Sequence, residues 1–156
     1  KRLTSQVSDL RGVELQAWVN FLRAHAAVTR QFNAELLSLH GLTINDFDVL
    51  AQLARAPEQA LKRVDLSERV LLTPSGITRL LKGLEEAGYV GNRPCKEDAR
   101  VTYAVLTPKG RRKLAVAEKT HIASVRALLS ERFDEDELET LAALLERLPM
   151  RETDAC

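Results

Sequence analysis

Apolar residues recur at steps of three and four over a long stretch near the start of the chain, residues 13–39. This is the period of an amphipathic helix, because residues three and four apart share one face. No glycine or proline interrupts the pattern before Gly41, which suits a helix C-terminus. The stripe is longer than a small domain's core needs, so we expect this helix to pack against a further surface as well.

The pattern then shortens to three compact helices joined by tight turns, predicted at about residues 43–56, 62–70 and 73–88. The last of them opens with Thr73 and Pro74, a capping hydroxyl followed by a proline whose missing N–H has no helical partner there. The middle helix is expected to bury three apolar side chains: Val64, Leu66 and Val70. Three short helices in this arrangement indicate a helix-turn-helix.

Two short runs of high β propensity follow, residues 89–93 and 101–106, separated by the polar and charged segment 94–100. They predict a β-hairpin with an exposed tip, which is a wing. Because the wing directly follows the helix-turn-helix, the central part of the chain is predicted to be a winged helix-turn-helix.

Two further helices are predicted after the hairpin, at about residues 107–132 and 134–148. The first repeats the threonine–proline start, and the second begins with the capping-box spacing between Asp134 and Glu137. The predicted fold is therefore mainly α with a small β-wing, in which a winged helix-turn-helix is flanked by N- and C-terminal helices.

Charge is distributed unevenly along the 156 residues, although the net charge is only +1. The central segment 55–113 holds 13 lysines and arginines against 7 aspartates and glutamates, whereas the rest of the chain holds 10 against 15. A basic centre between acidic flanks favours a polyanionic partner for the winged region.

Several function classes find no support in the sequence. No stretch approaches the ~18 apolar residues of a membrane span, and no secretory apolar core follows the first residues, so we expect a cytoplasmic protein without membrane contact. Two cysteines, Cys95 and Cys156, and three scattered histidines have no metal-site spacing, so neither metal nor cofactor is predicted. Because a nucleophile elbow, a P-loop and a dinucleotide-binding loop are all missing, we expect no catalytic residue.

A series of motifs lies between residues 63 and 110. In chain order they are Asp65-Leu66-Ser67-Glu68-Arg69-Val70, Thr73-Pro74-Ser75-Gly76-Ile77-Thr78-Arg79-Leu80, Leu84-Glu85-Glu86-Ala87-Gly88-Tyr89-Val90, Asp98-Ala99-Arg100 and Leu106-Thr107-Pro108-Lys109-Gly110. With this order and spacing, and with helices on both sides, the chain resembles the MarR family of winged helix-turn-helix regulators. The resemblance covers nearly the whole chain and implies a transcriptional regulator that binds double-stranded DNA.

The helix that begins near Pro74 would then be the recognition helix, which fits the major groove of B-DNA. Hydroxyl and basic side chains near its N-terminus can meet base edges and phosphates there. The candidate DNA-binding residues of this helix are Thr73, Ser75, Thr78, Arg79 and Lys82. The alternative for each of them is an ordinary solvated position on a surface helix.

The wing carries the remaining candidates for DNA contact. Arg100 at its tip suits a minor groove, where narrow A·T-rich segments concentrate negative potential. Asp98 is expected to support the wing by orienting that arginine or bracing the turn, because phosphates repel a carboxylate. Arg93 and Lys96 are predicted phosphate contacts, which position a protein without reading sequence. Two basic residues offer the same role from the middle short helix: Lys62 and Arg63.

One short recognition helix makes few contacts, so we expect a homodimer that reads a palindromic operator through two helices about 34 Å apart. The apolar stripes of the outer helices are the predicted dimer seam, and the alternative is that they only cover the winged domain. The expected domains are an N-terminal dimerisation helix, a winged helix-turn-helix DNA-binding domain and C-terminal dimerisation helices, at residues 1–40, 41–106 and 107–156.

The resemblance further implies a repressor that releases DNA when a small lipophilic or phenolic effector binds between the dimer helices and the DNA-binding lobe. The candidate pocket residues are Trp18, Phe21, Arg23, His25 and His40, each of which is also an ordinary choice for a packed or surface position. Two alternatives stay open: a winged-helix module that binds protein instead of DNA, and a redox-responsive regulator that uses Cys95. The basic row formed by Arg79, Lys82 and Arg100 favours DNA.

Overall fold

The computed structural model describes residues 10–70, 72 and 74–148. Six α-helices, one short 3-10 helix (Pro57–Gln59) and three strands lie in this part of the chain. The helices are α1 (Gly12–His40), α2 (Ile44–Arg55), α3 (Arg63–Arg69), α4 (Pro74–Glu86), α5 (Pro108–Ser130) and α6 (Glu135–Leu145). The strands are β1 (Ala60–Lys62), β2 (Val90–Pro94) and β3 (Thr102–Leu106). The prediction of a mainly helical fold with a small β-wing is confirmed.

The chain divides into two compact units, residues 1–44 and 45–156. The first unit contains α1, which ends at Gly41 in the left-handed conformation, with φ of 67°. The amide of Gly41 donates to the carbonyl of Leu37 at 3.0 Å, and this bond satisfies one of the carbonyls that the helix end leaves open. The long amphipathic helix and its glycine stop are therefore present as predicted.

The second unit contains an antiparallel sheet in the order β1-β3-β2. Strands β2 and β3 form the predicted wing, in which Val90 is opposite Leu106 and Pro94 is opposite Thr102. Strand β1 was not predicted, because three residues are too short to show an alternating pattern. It pairs with β3 through Ala60 and Lys62.

The core of the second unit lies between α2, α3, α4 and the sheet. Its largest fully buried side chains are Leu50, Leu53, Leu66, Leu81 and Val49. The expectation that Val64 is buried is wrong, because its side chain is 61% exposed. Helix α3 is only two turns long, and its buried residues are Leu66 and Ser67. Val64, two residues before Leu66, therefore lies on the opposite side.

The end of α4 and the start of α5 meet in a close junction. The hydroxyl of Thr107 accepts a hydrogen bond from the amide of Gly110 at 3.0 Å and donates to the carbonyl of Gly88 at 2.6 Å. Lys109 Nζ donates to the carbonyl of Ala87 at 2.8 Å. Thr107 is thus the predicted helix cap and also a link between the two helices.

The junction leaves no space for a side chain at residue 110. A Cβ placed on Gly110 would lie 2.1 Å from the carbonyl oxygen of Tyr89, whereas a Cβ on the helical Gly83 would have nothing within 4 Å. Only glycine therefore fits position 110 without moving the backbone of α5 or of Tyr89.

We expect Gly110→Ala to destabilise the protein by about 1–3 kcal/mol, because α5 must move away from the Tyr89 peptide to admit the methyl group. Gly83→Ala is the matched control and should stabilise it by about 0.5–1 kcal/mol, because alanine orders a helix at lower entropic cost. Chemical denaturation of both variants measures the two changes. A Gly110→Ala protein as stable as the wild type would contradict the close junction.

Helix α2 carries one carboxyl group in an unusual environment. Burial raises the pKa of Asp48 above its usual 3.8, while a hydrogen bond with Gln52 and the charge of Arg55 lower the pKa and offset part of the rise. The folded state therefore holds this proton more tightly than the unfolded chain does. The contribution of Asp48 to the stability of the fold is therefore fully present below pH 3.8, and it is lost as the pH rises through the pKa of the folded state.

We expect Asp48→Asn to raise the stability at pH 7, because the amide cannot ionise. The gain over the wild type should shrink as the pH falls below 3.8, where Asp48 is protonated in both states. Urea unfolding of the two proteins at a neutral and an acidic pH gives this difference. A gain of equal size at both pH values would show that it does not come from ionisation.

Candidate nucleic-acid interface

Helix α4 has one buried and one exposed face. Ile77, Leu81 and Leu84 are 3%, 0% and 3% exposed and hold the helix on the core. Four of the predicted DNA-binding residues lie exposed on the remaining surface: Ser75, Thr78, Arg79 and Lys82. The fifth, Thr73, lies outside the described residues. The amphipathic sequence thus presents hydroxyl and basic groups together along the outer side of one helix.

The tip of the wing is a tight turn closed by backbone bonds. The amide of Cys95 donates to the carbonyl of Val101 at 2.9 Å, and the amide of Val101 donates to the carbonyl of Asp98 at 3.0 Å. The carboxylate of Asp98 accepts from the amide of Arg100 at 3.0 Å. Asp98 therefore braces the turn, which is one of the two roles predicted for it.

Arg100 extends from this braced turn into solvent. Its side chain is 95% exposed, and its Nε lies 4.0 Å from Oδ1 of Asp98. An ion pair this exposed is weak, so the guanidinium is available to another partner. Lys96 is exposed on the same hairpin tip. Cys95 is only half-buried, and Cys156 lies outside the described residues.

Arg93, in the outer half of β2, is engaged with partners within the second unit. Its guanidinium donates to Oε2 of Glu58 at 3.2 Å and lies 5.2 Å from the centre of the Tyr103 ring. A phosphate contact by Arg93 would have to compete with Glu58 or share the guanidinium with it. Sequence reasoning missed this pairing, because Glu58 is 35 residues away along the chain.

Glu58 lies in an unusual turn before β1. Both Glu58 and Gln59 are in the left-handed region, with φ of 55° and 54°, which side-chain-bearing residues seldom adopt. Gln59 accepts a hydrogen bond from Arg111 in α5, and Glu58 accepts from Arg93 in the wing. The turn is thus held from two sides, and it places β1 against β3.

Arg63 also has partners within the second unit. Its Nη1 donates to Oε1 of Glu85 at 3.3 Å and to Oδ1 of Asn92 at 3.0 Å. Glu85 belongs to the last turn of α4, and Asn92 lies at the centre of β2. The sequence suggested a phosphate contact for Arg63. It could not show these two bonds, because Glu85 and Asn92 lie 22 and 29 residues away along the chain.

The predicted pocket residues all lie on the first unit's long helix. The rings of Trp18 and Phe21 stack with centroids 6.4 Å apart, and their side chains are 46% and 41% exposed. Arg23 and His25 are exposed, and His40 is half-buried at the C-terminal end. Because a helix rises 1.5 Å per residue, Trp18 and His40 lie about 33 Å apart. One copy of the helix therefore brings Trp18 and Phe21 together but not His40.

Two features of the described residues bear on other functions. No helix in this part of the chain is both long enough and apolar enough to cross a membrane. No group of three or more histidine, cysteine, aspartate or glutamate side chains among them could hold a metal ion.

Comparison with known proteins gives consistent matches to one family. A model described as MarR family matches residues 40–101. An uncharacterized HTH-type transcriptional regulator of Bacillus cereus is 29% identical over 131 residues, which cover 84% of this chain and 85% of the relative. The resemblance seen in the sequence is therefore confirmed.

Solved structures show the same architecture. The crystal structure of AbsC, a MarR family transcriptional regulator from Streptomyces coelicolor, is 27% identical, with a TM-score of 0.79 over 88% of this chain and 92% of that one. Sco3205, a MarR family transcriptional regulator from the same organism solved in complex with DNA, is 23% identical. Its TM-score is 0.81 over 88% of this chain and 86% of that one, and at this identity the likeness concerns the fold alone.

Proposed function

We propose that this chain is a DNA-binding transcriptional regulator of the MarR family, and that it is a homodimeric repressor that occludes an operator and leaves it when a small molecule binds. It works on DNA in the cytoplasm, and we assign it no catalytic residue and no cofactor. Regulators of this family are generally non-enzymatic.

The observation that carries the proposal is the outer face of α4. Arg79 and Lys82 are exposed there with Ser75 and Thr78, on a helix of the width that fits the major groove. Their chemistry suits both base edges and phosphates, because guanidinium and hydroxyl groups bond to either. The MarR regulator Sco3205 was crystallised with DNA, which supports duplex DNA as the partner of the same fold here.

The wing supplies the second point of contact. Arg100 is almost fully exposed on a turn that Asp98 braces, so its guanidinium can enter the minor groove beside the major groove that α4 occupies. Lys96 on the same tip would meet a phosphate. Arg93 would assist only by sharing its guanidinium between Glu58 and the DNA.

The homodimer is supported by apolar side chains that one chain leaves in solvent. They lie on α1, α5 and α6 and in the short segments after the last two helices: Val13, Leu15, Leu22, Val116, Ile122, Phe133, Leu144, Leu145 and Leu148. An isolated soluble chain seldom exposes so many large apolar groups. A second copy would cover them and would present two α4 helices to a palindrome.

Release by an effector is supported by the family and by the stacked pair of Trp18 and Phe21. Two exposed aromatic rings on one helix face offer the surface that a phenolic or lipophilic molecule would contact. The ligand would act only by favouring one arrangement of the dimer over another, since a ligand with equal affinity for both changes nothing.

A fluorescence anisotropy titration tests the proposal. The protein is titrated into labelled duplex DNA from upstream of its own gene, with excess unrelated duplex, at two salt concentrations. We expect submicromolar binding that resists the competitor, weakens with salt and saturates at two chains per site. Absence of binding at low salt would instead favour the protein-contact module.

We expect Arg100→Ala to weaken operator binding by about 1–3 kcal/mol while the dimer stays intact, because the change removes a minor-groove contact far from the proposed seam.

Lys96→Met should weaken specific and non-specific binding about equally and reduce the slope of log affinity against log salt by about one. The same titration measures both variants, and sedimentation confirms the dimer. Unchanged affinity after Arg100→Ala would remove the wing from the interface.

A further inference from the structure

The guanidinium of Arg63 joins three elements of the DNA-binding lobe at one atom. Arg63 is the first residue of α3, and its Nη1 bonds to Glu85 in the last turn of α4 and to Asn92 in β2. The side chains of Arg63 and Glu85 are only 28% and 27% exposed. The contact thus connects the recognition helix to the wing through a third helix.

The wing needs such a connection because of its place in the sheet. The order β1-β3-β2 puts β2 at an edge, so within the described residues its backbone pairs with β3 alone. The root of the hairpin is buried, since Val90 and Leu106 are 3% and 4% exposed, but the strand is exposed from Asn92 outward. Arg63 bonds to Asn92, which is the first exposed residue of β2.

A direct phosphate contact by Arg63 fits this geometry poorly. Turning the guanidinium towards DNA would break the bonds to Glu85 and Asn92 and remove the arginine from a half-buried carboxylate. A phosphate contact would have to offset the loss of both bonds. The structure therefore favours the bonds of Arg63 to Glu85 and Asn92 over a contact with DNA.

We propose that Arg63 is a positioning residue that fixes the wing relative to α4 through Asn92 and Glu85 and does not itself touch DNA. The inference rests on the proposed DNA-binding function. A protein that binds through a helix and a wing gains most when both are already placed for their grooves, because ordering a loose element reduces the affinity. Loss of the bonds from Arg63 to Glu85 and Asn92 should therefore weaken the contribution of Arg100 to DNA binding in particular.

The test is a double-mutant cycle on the anisotropy assay with the upstream duplex. Asn92→Ala removes the acceptor on the wing and leaves the net charge unchanged, and Arg63→Met removes the donor. We expect each to weaken binding about tenfold in the wild type and less than about threefold in the Arg100→Ala protein, because a wing without its arginine gains little from being held in place. The salt slope with Asn92→Ala should equal that of the wild type.

Lys62→Met is the matched control. Lys62 is the exposed neighbour of Arg63, so any effect of its loss should add to that of Arg100→Ala without coupling. Thermal melts of all variants identify any loss of affinity that comes from unfolding, and Asn92→Ala, at an exposed strand position, keeps the test open if Arg63→Met folds poorly.

The outcomes separate the inference from the function on which it rests. Additive effects of Asn92→Ala and Arg100→Ala, or no effect of Asn92→Ala at all, would overturn the positioning role. An Arg63→Met protein whose salt slope falls by about one, while Asn92→Ala binds normally, would make Arg63 a phosphate contact. If the wild type binds no duplex specifically, the proposed function fails first, and that failure is visible without any variant.

Discussion

The close approach of α5 to the Tyr89 peptide is the constraint on which the helix-turn-helix and wing, the proposed DNA-binding part of the chain, depend. Gly110 lies against the carbonyl of Tyr89, and Thr107 bonds at once to the amide of Gly110 and to the carbonyl of Gly88. Helix α4 ends just before this point, and both wing strands begin or end beside it, since Val90 is opposite Leu106. One short stretch of backbone therefore sets the position of helix and wing together.

Restraint decreases along the wing from this root to the tip. Val90 and Leu106 are packed in the core, exposed side-chain bonds link Arg63 to Asn92 and Arg93 to Glu58, and at the tip the carboxylate of Asp98 braces the turn. This gradient would suit the proposed entry of the wing tip into a DNA groove, whose width varies with sequence. The left-handed turn at Glu58 costs free energy, which the bonds and strand pairing around it offset.

The sequence predicted what depends on periodicity and local capping. The long helix with its Gly41 stop, the caps at Thr107 and Asp134, and the wing all follow from residues close together in the chain, and each is present. Strand β1 is too short to show a period. The inward orientation expected for Val64 was wrong because a two-turn helix has too few residues to define its buried face.

The candidate site was predictable only in part, for a related reason. The exposed face of α4 follows from the same amphipathic pattern that places its apolar face on the core. The partners of Arg63 and Arg93 do not, since they lie 22 to 35 residues away and depend on how the elements pack. From the sequence all basic side chains look alike, whereas the structure separates those that are bonded within the lobe from Arg100, which extends into solvent.

The outer helices show why dimer formation and folding would be one process in the proposed regulator. Only Phe32 and Leu36 of α1 are buried in the single chain, and no residue of α6 is. A helix of 11 residues is marginal in water even with the capping box of Asp134, because most helix stability comes from a packed apolar face. In a dimer the partner supplies that face, so the stability of these helices would depend on protein concentration. The acidic excess outside the central segment, 15 aspartates and glutamates against 10 lysines and arginines, would then disfavour DNA at the dimer end relative to the basic centre.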